Sequence, residues 1–161
     1  MLKRRFGRTE LNLSVLTFGA MRIPPEKDED PAKNEERALA TLRRGLDVGI
    51  NHIETARGYG LSEELIGRAL SRGVIKRDEF ILTTKIGPKE TAQEFEEALT
   101  DSMSRMGVEF VDNLDIHGIN TPDLLEMSTR KGGCYDAVQR AISDGRVGHI
   151  GFSTHGSVEV I

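Results

Sequence analysis

Two hydrophobic periods alternate along this chain. Between about Glu35 and Val48, Ala38, Leu39, Leu42 and Leu46 recur at spacings of three and four, which predicts a helix with one buried stripe, closed by Gly49. A second helix is expected from Ser62, a natural N-cap, burying Leu65, Ile66, Ala69 and Leu70. A third opens on a capping box, Thr91 with Glu94, and repeats Phe95, Ala98, Leu99 and Met103. A fourth covers about Cys134 to Ser143, with Val138, Ala141 and Ile142 apolar and Gly145 beyond its end.

Shorter runs of period two lie between them. Leu2 to Leu13 reads as a small hairpin turning at Gly7 to Glu10, and Ser14 to Phe18 as a strand ending at Gly19. The polar stretch from Pro24 to Asn34 reads as a loop. Further strands are expected at Asn51–Thr55, Phe80–Ile86, Val111–His117 and His149–Thr154. Strands alternating with helices, without hairpins between them, imply a parallel sheet with crossover helices.

The strands carry one more signal. In Val111–His117, apolar Leu114 and Ile116 alternate with polar Asn113, Asp115 and His117. Ile53 alternates with His52 and Glu54, Leu82 with Thr83 and Lys85, and Ile150 and Phe152 with Gly151 and Ser153. Successive strand residues face opposite sides. One face is therefore apolar and suited to helices. The other gathers Glu54, Lys85, His117 and Ser153 near the C-terminal strand ends. An open sheet covered by helices on both faces reads as apolar throughout, whereas a barrel accepts polar groups at one interior rim. The expected fold is α/β: a single domain over residues 1–161 forming an incomplete (β/α)8 TIM barrel, with an N-terminal hairpin, about five parallel strands and four helices.

Composition narrows the partners. The 161 residues include 22 Lys and Arg against 26 Asp and Glu, a net charge of −4. That balance argues against nucleic acid or an anionic membrane as the main partner. The basic clusters Lys3–Arg5 and Arg43–Arg44 read as solvated surface. The lone cysteine, Cys134, reads as a small buried residue and excludes an internal disulfide. Cytoplasmic localisation is expected, because no apolar run approaches the roughly 20 residues that cross a bilayer and no signal-peptide pattern follows the N-terminus.

The candidate chemistry lies at the rim. Glu54, Tyr59, Lys85 and His117 are each ordinary alone: a neutralising carboxylate, a loop tyrosine, a snorkelling lysine, a core histidine. Together they bring four ionisable groups to one mouth, where buried charges are costly unless paired and titratable clusters are candidate catalysts. No metal site is expected, since no His-x-His lies near the first strand and His149 and His155 are six apart. No glycine-rich phosphate loop appears either.

The order of these residues resembles the aldo-keto reductase family. Phe18 to Met21 looks like its glycine turn after the first strand. Gly49 to Gly60 (GINHIETARGYG), followed by Ser62 and Glu63, is similar to its tyrosine signature. Thr84–Lys85, Asp112 to His117, Gly145–Arg146 and Gly151 to Ser153 match later segments in order. The chain departs at Glu54, where the family usually has aspartate, displacing the carboxylate by about 1.5 Å, one C–C bond. It also has Thr154 where asparagine often follows the serine. The likeness is to a subgroup some members of which continue into a cysteine-rich iron–sulfur segment for which this sequence has no residues.

The resemblance implies NADPH-dependent reduction of a small aldehyde or ketone. Tyr59 would donate the proton, Lys85 would favour the phenolate that forms, Glu54 would hold Lys85, and His117 would orient the carbonyl. Gly19, Ala20, Met21, Glu54, Ser153 and Thr154 would border the cofactor. The family's later strands and their phosphate-holding loops have no counterpart in the sequence. Two expectations follow: weak NADPH binding, and self-association through open barrel edges. The alternative is a redox-inactive binding or regulatory protein on the same barrel. Carbonyl reduction that disappears in Tyr59→Phe separates the two.

Overall fold

The computed structural model describes residues 1–23 and 30–158. It opens with an antiparallel hairpin of β1 (Lys3–Arg5) and β2 (Asn12–Ser14). A 3-10 turn at Gly7–Thr9 joins them, with Glu10 left-handed at φ 59°. A parallel sheet follows: β3 (Phe18–Gly19), β4 (His52–Glu54), β5 (Ile81–Ile86), β6 (Val111–His117) and β7 (Val147–Ser153), side by side in that order. Its crossovers are α1 (Pro31–Asp47), α2 (Ser62–Ser71), α3 (Ala92–Met106), and α4 (Pro122–Thr129) with α5 (Cys134–Ser143) between β6 and β7. The chain thus carries five parallel strands in the sequential order of a (β/α) barrel.

Several sequence expectations are corrected. The strand Ser14–Phe18 is not one element. The Ser14 hydroxyl donates to the Leu16 carbonyl at 2.6 Å and its N–H donates to Asn51 Oδ1 at 2.6 Å. These bonds turn the chain, leaving only Phe18 and Gly19 to pair with β4. Of the loop Pro24–Asn34, residues 24–29 lie outside the described residues, and Pro31–Asn34 are helical. Asp30 caps them, accepting from the N–H groups of Ala32 and Lys33 at 3.0 Å each, with Pro31 in the first turn. Among the described residues there are five α-helices rather than four. In α4, Thr121 caps by accepting from Leu124 N at 3.3 Å and Pro122 follows, but only Ser128 is buried. A helix that hides so little leaves no apolar stripe to read.

The α3 capping box forms as expected, Thr91 Oγ1 accepting from Glu94 N and Glu94 Oε2 from Thr91 N, each at 3.2 Å. Gly107 ends the helix at φ 65°.

The core is the layer between helices and sheet. Leu42, Leu65, Ile66, Phe95 and Leu99 pack on Ile53, Leu82 and Leu114, all buried. Leu114 and Ile116 of β6 face the helices, and Asn113, Asp115 and His117 face the interior, as the alternation required. Cys134 belongs to the same core. The hairpin is fastened at the N-terminal end of β4, where Asn51 donates from N to Ser14 Oγ and from Nδ2 to the Asn12 carbonyl, each at 3.0 Å. Lys3–Arg5 are exposed, and Arg43 pairs with Asp47 and Glu79 at 2.9 Å each. Among the described residues, no helix is long and apolar enough to cross a membrane.

Candidate active site

The register of the sheet brings the candidate residues to one rim. Gly19 pairs with Glu54, Glu54 with Thr83, Lys85 with Asp115, and His117 with Ser153. The turn after β4 continues along β5: Thr55 N donates to Thr83 O at 2.8 Å and Arg57 N to Lys85 O at 2.9 Å. This places Tyr59 above the C-terminal end of β5.

Lys85 is buried, and its ammonium meets three acceptors. Nζ lies 2.7 Å from Glu54 Oε1, donates to the Thr55 carbonyl at 3.0 Å, and donates to Tyr59 Oη at 3.2 Å. An ammonium has three donors, so this one is fully satisfied in a place where an unmet charge would be costly. The glutamate that departs from the family pattern therefore still reaches Lys85, and the contact with Tyr59 survives. The Thr55 carbonyl is a partner the sequence could not reveal, being backbone.

His117 completes the group. Its ring stands edge-on to Tyr59, centroids 5.6 Å apart at 87°. Burial pushes the His117 pKa down, the Lys85 cation lowers it further, and Glu54 opposes them. The neutral imidazole is favoured, and among the described residues no protein group takes a hydrogen bond from it. Deeper in the interior, His52 shares hydrogen bonds with Thr17 Oγ1 at 2.9 Å and Thr83 Oγ1 at 2.8 Å. Asp115 accepts from Asn113 Nδ2 at 2.6 Å, and burial pushes its carboxyl up against the opposing pull of Asn113 and Lys85.

The residues assigned to the cofactor are placed unevenly. Gly19 and Met21 are exposed at the rim. Ala20 is fully buried, and its carbonyl accepts from Ser62 Oγ at 3.0 Å. Ser62 was expected to cap α2. Instead Leu61 holds the cap position without a side-chain bond, and the Ser62 hydroxyl bridges Ala20 and Thr55 Oγ1, the latter at 2.8 Å. Ser153 Oγ accepts from Gly118 N at 3.1 Å, which leaves its own hydrogen available. Thr154 Oγ1 accepts from Gly156 N at 2.8 Å in a local turn. Among the described residues, no three His, Cys, Asp or Glu side chains cluster as metal ligands do.

A parallel (β/α) barrel sheet with a lysine-backed phenol at its C-terminal rim defines the class: a barrel protein whose ionisable groups sit where enzymes of this architecture place their chemistry. The sequence profile of the aldo/keto reductase family matches residues 15–161, and the chain belongs to that family. It is 30% identical over 157 residues to L-galactose dehydrogenase of Arabidopsis thaliana, covering 93% of this chain and 47% of that protein. With 6-dehydroglucose reductase of Novosphingobium aromaticivorans it shares 29% identity over 164 residues, 93% of this chain and 50% of the relative. The chain thus spans about half the length of these curated relatives. Among solved structures, a Pseudomonas aeruginosa protein described as a putative aldo-keto reductase superposes with a TM-score of 0.79 at 27% identity, over 95% of this chain and 59% of that one. A Klebsiella pneumoniae aldo/keto reductase solved with NADP and acetate gives 0.76 at 25%, over 98% and 51%.

Proposed function

We propose that this chain supplies the proton-donating part of an NADPH-dependent carbonyl reductase site acting on a small aldehyde or ketone. The observation that carries the proposal is the direction of one hydrogen bond. Lys85 donates to Tyr59 Oη, so the phenol oxygen is the acceptor and its own hydrogen is left for a substrate. As that proton leaves, the ammonium 3.2 Å away faces the negative oxygen that forms, and Glu54 and the Thr55 carbonyl keep it there. The neutral His117 imidazole donates to the carbonyl oxygen and fixes its angle beside Tyr59.

The rim fits the nicotinamide end of the cofactor. Ser153 retains a hydroxyl hydrogen for the carboxamide oxygen, and at Gly19 a Cβ would meet nothing within 4 Å, so there is open space. Met21 borders that space. Glu54 lies at its edge through Lys85. Ala20 acts from beneath by anchoring Ser62, and Thr154 by shaping the turn after Ser153. When bound, NADPH supplies the hydride to the carbonyl carbon.

The test is NADPH oxidation by the protein carrying this chain, with a panel of aldehydes, ketones and sugar aldehydes, beside its Tyr59→Phe variant. Phenylalanine keeps the ring against His117 and removes the proton. Loss of about 10²–10⁴-fold in kcat is expected, the usual contribution of a general acid. Equal rates in the two proteins would remove Tyr59 from the reaction.

A further inference from the structure

Lys85 faces the barrel interior, and its neighbour Thr84 faces the other way, fully buried against α2 and α3. There Thr84 Oγ1 donates to Glu63 Oε1 at 2.7 Å. Glu63, in the first turn of α2, is 1% exposed. Its second oxygen is buried without a hydrogen-bond partner, and so is Ser102 Oγ, which faces the carboxyl. The nearest cation is Arg105 Nη1 at 3.9 Å from Oε2, and Arg105 is already paired with Asp101 through Nη2 at 2.9 Å. A carboxyl buried on these terms is a poor choice for stability alone.

Its position suggests what it does instead. Tyr59 leads directly into α2, since Ser62 N donates to the Tyr59 carbonyl at 3.1 Å. One turn beyond Glu63, on the same helix face, Gly67 lets α2 approach α3 so closely that a Cβ there would collide with the Arg105 carbonyl. The helix that follows Tyr59 is thus seated on α3 at Gly67 and on β5 at Glu63.

We propose that Glu63 is a positioning residue: its bond to Thr84 ties the Tyr59 turn to the strand residue next to Lys85, and so sets the distance from phenol to ammonium. Burial pushes the Glu63 carboxyl up, opposed by the Thr84 and Ser102 hydroxyls and by Arg105 and Arg57. In a neutral carboxyl Oε1 accepts from Thr84 and the hydrogen lies on Oε2, on the side of Ser102. A glutamine amide reproduces that pattern. The kinetic arm of the test rests on the proposed reductase reading; the structural arm does not.

Tyr59 and Tyr135 are the only tyrosines, and Tyr135 is exposed on α5. In a Tyr135→Phe background the Tyr59 ring therefore gives a single set of NMR resonances, and its cross-relaxation with the His117 ring reports where the phenol sits. Thr84→Val keeps the shape at residue 84 and removes the bond. It is expected to weaken the Tyr59–His117 cross-peak and to lower kcat on the order of tenfold with KM unchanged, within the ~10²-fold that a misplacement of about 1 Å costs. Glu63→Ala should do the same, and Glu63→Gln should retain cross-peak and kcat. A folded Thr84→Val protein with an unaltered cross-peak overturns the proposal, as does a Glu63→Gln protein as impaired as Thr84→Val. If the cross-peak responds as expected but the wild-type protein turns over no carbonyl, the positioning role stands and the reductase reading falls.

Discussion

The Lys85 ammonium and the Glu54 carboxylate lie 2.7 Å apart, yet the two side chains differ in setting, 5% exposed for the lysine and 37% for the glutamate. The charge that cannot reach water depends on one that can. Replacing Glu54 by glutamine keeps the length and an acceptor oxygen and removes the charge. Breaking a wholly buried pair costs several kcal/mol, but solvent at Glu54 screens this one, so about 1 kcal/mol is expected. A chain of this size should then melt about 2–4 °C lower, as followed by circular dichroism. An unchanged melting point means that the Thr55 carbonyl and Tyr59 suffice to hold the ammonium.

Gly151 stands opposite Asp115 across the β6–β7 pair, and a Cβ on Gly151 would overlap Asp115 Oδ1, the atom bonded to Asn113. The glycine is therefore needed for space. Gly151→Ala should force Asp115 away from Asn113 at a cost of about 1–3 kcal/mol, the usual range for overpacking. Asp115→Ala in the same chain should recover part of that loss, because it removes the atom that collides. Chemical denaturation of the two single variants and the double variant measures the coupling; strictly additive losses would show that the clash is relieved elsewhere.

The sequence was most legible where side-chain period and strand register carry the same information. Once Leu114 and Ile116 are assigned to the helix side, Asn113, Asp115 and His117 must face inward, and the rim with Glu54, Lys85 and Ser153 follows. Ser14–Phe18 was illegible because its fate depends on Asn51, 37 residues away from Ser14, and nothing local signals that bond. Ser62 misled for a related reason: its residue type suits a cap, but its hydroxyl serves Ala20 and Thr55 instead. The third acceptor of Lys85, a backbone carbonyl, has no residue type that could announce it. Glu63 was visible only as part of a motif, since its burial follows from the packing of α2 on α3.

The open sides of the sheet bear on association. β3 and β7 are its outer strands, and Phe152, on the side of β7 where a helix would pack, is 57% exposed. Val15 and Leu16 are exposed beside β3. Unpaired strand edges next to exposed apolar groups favour pairing between copies. The 161-residue chain is therefore expected to self-associate with rising concentration, and Phe152→Ser to weaken that association. Sedimentation velocity over a dilution series provides the test. A monomer at every concentration that also melts cooperatively would contradict it.

His52 gives the stability of the protein a pH dependence whose sign follows from its surroundings. Burial pushes its pKa below the ordinary 6.5; Lys85 acts in the same direction, and Glu54 and Asp112 oppose it. The folded state therefore holds a neutral ring, satisfied through both nitrogens by Thr17 and Thr83, while the unfolded chain takes up a proton more readily. The unfolded state then binds more protons, so stability increases with pH through this window. The contribution is fully present above 6.5 and is lost as pH falls through the lowered folded value. His117 is shifted the same way and adds to the same limb. Glu63 and Asp115 are raised, so their contributions are present at low pH and fade as pH rises; they cannot cause a loss on acidification below 6.5. His52→Gln offers the two threonines an amide donor and acceptor that do not titrate. Urea unfolding at pH values on both sides of 6.5 should show a shallower acid limb in this variant than in wild type. Parallel curves would remove His52 from the limb and leave it to His117 and to the carboxylates of Glu35, Glu79 and Asp101, which hydrogen bonds hold below the ordinary range.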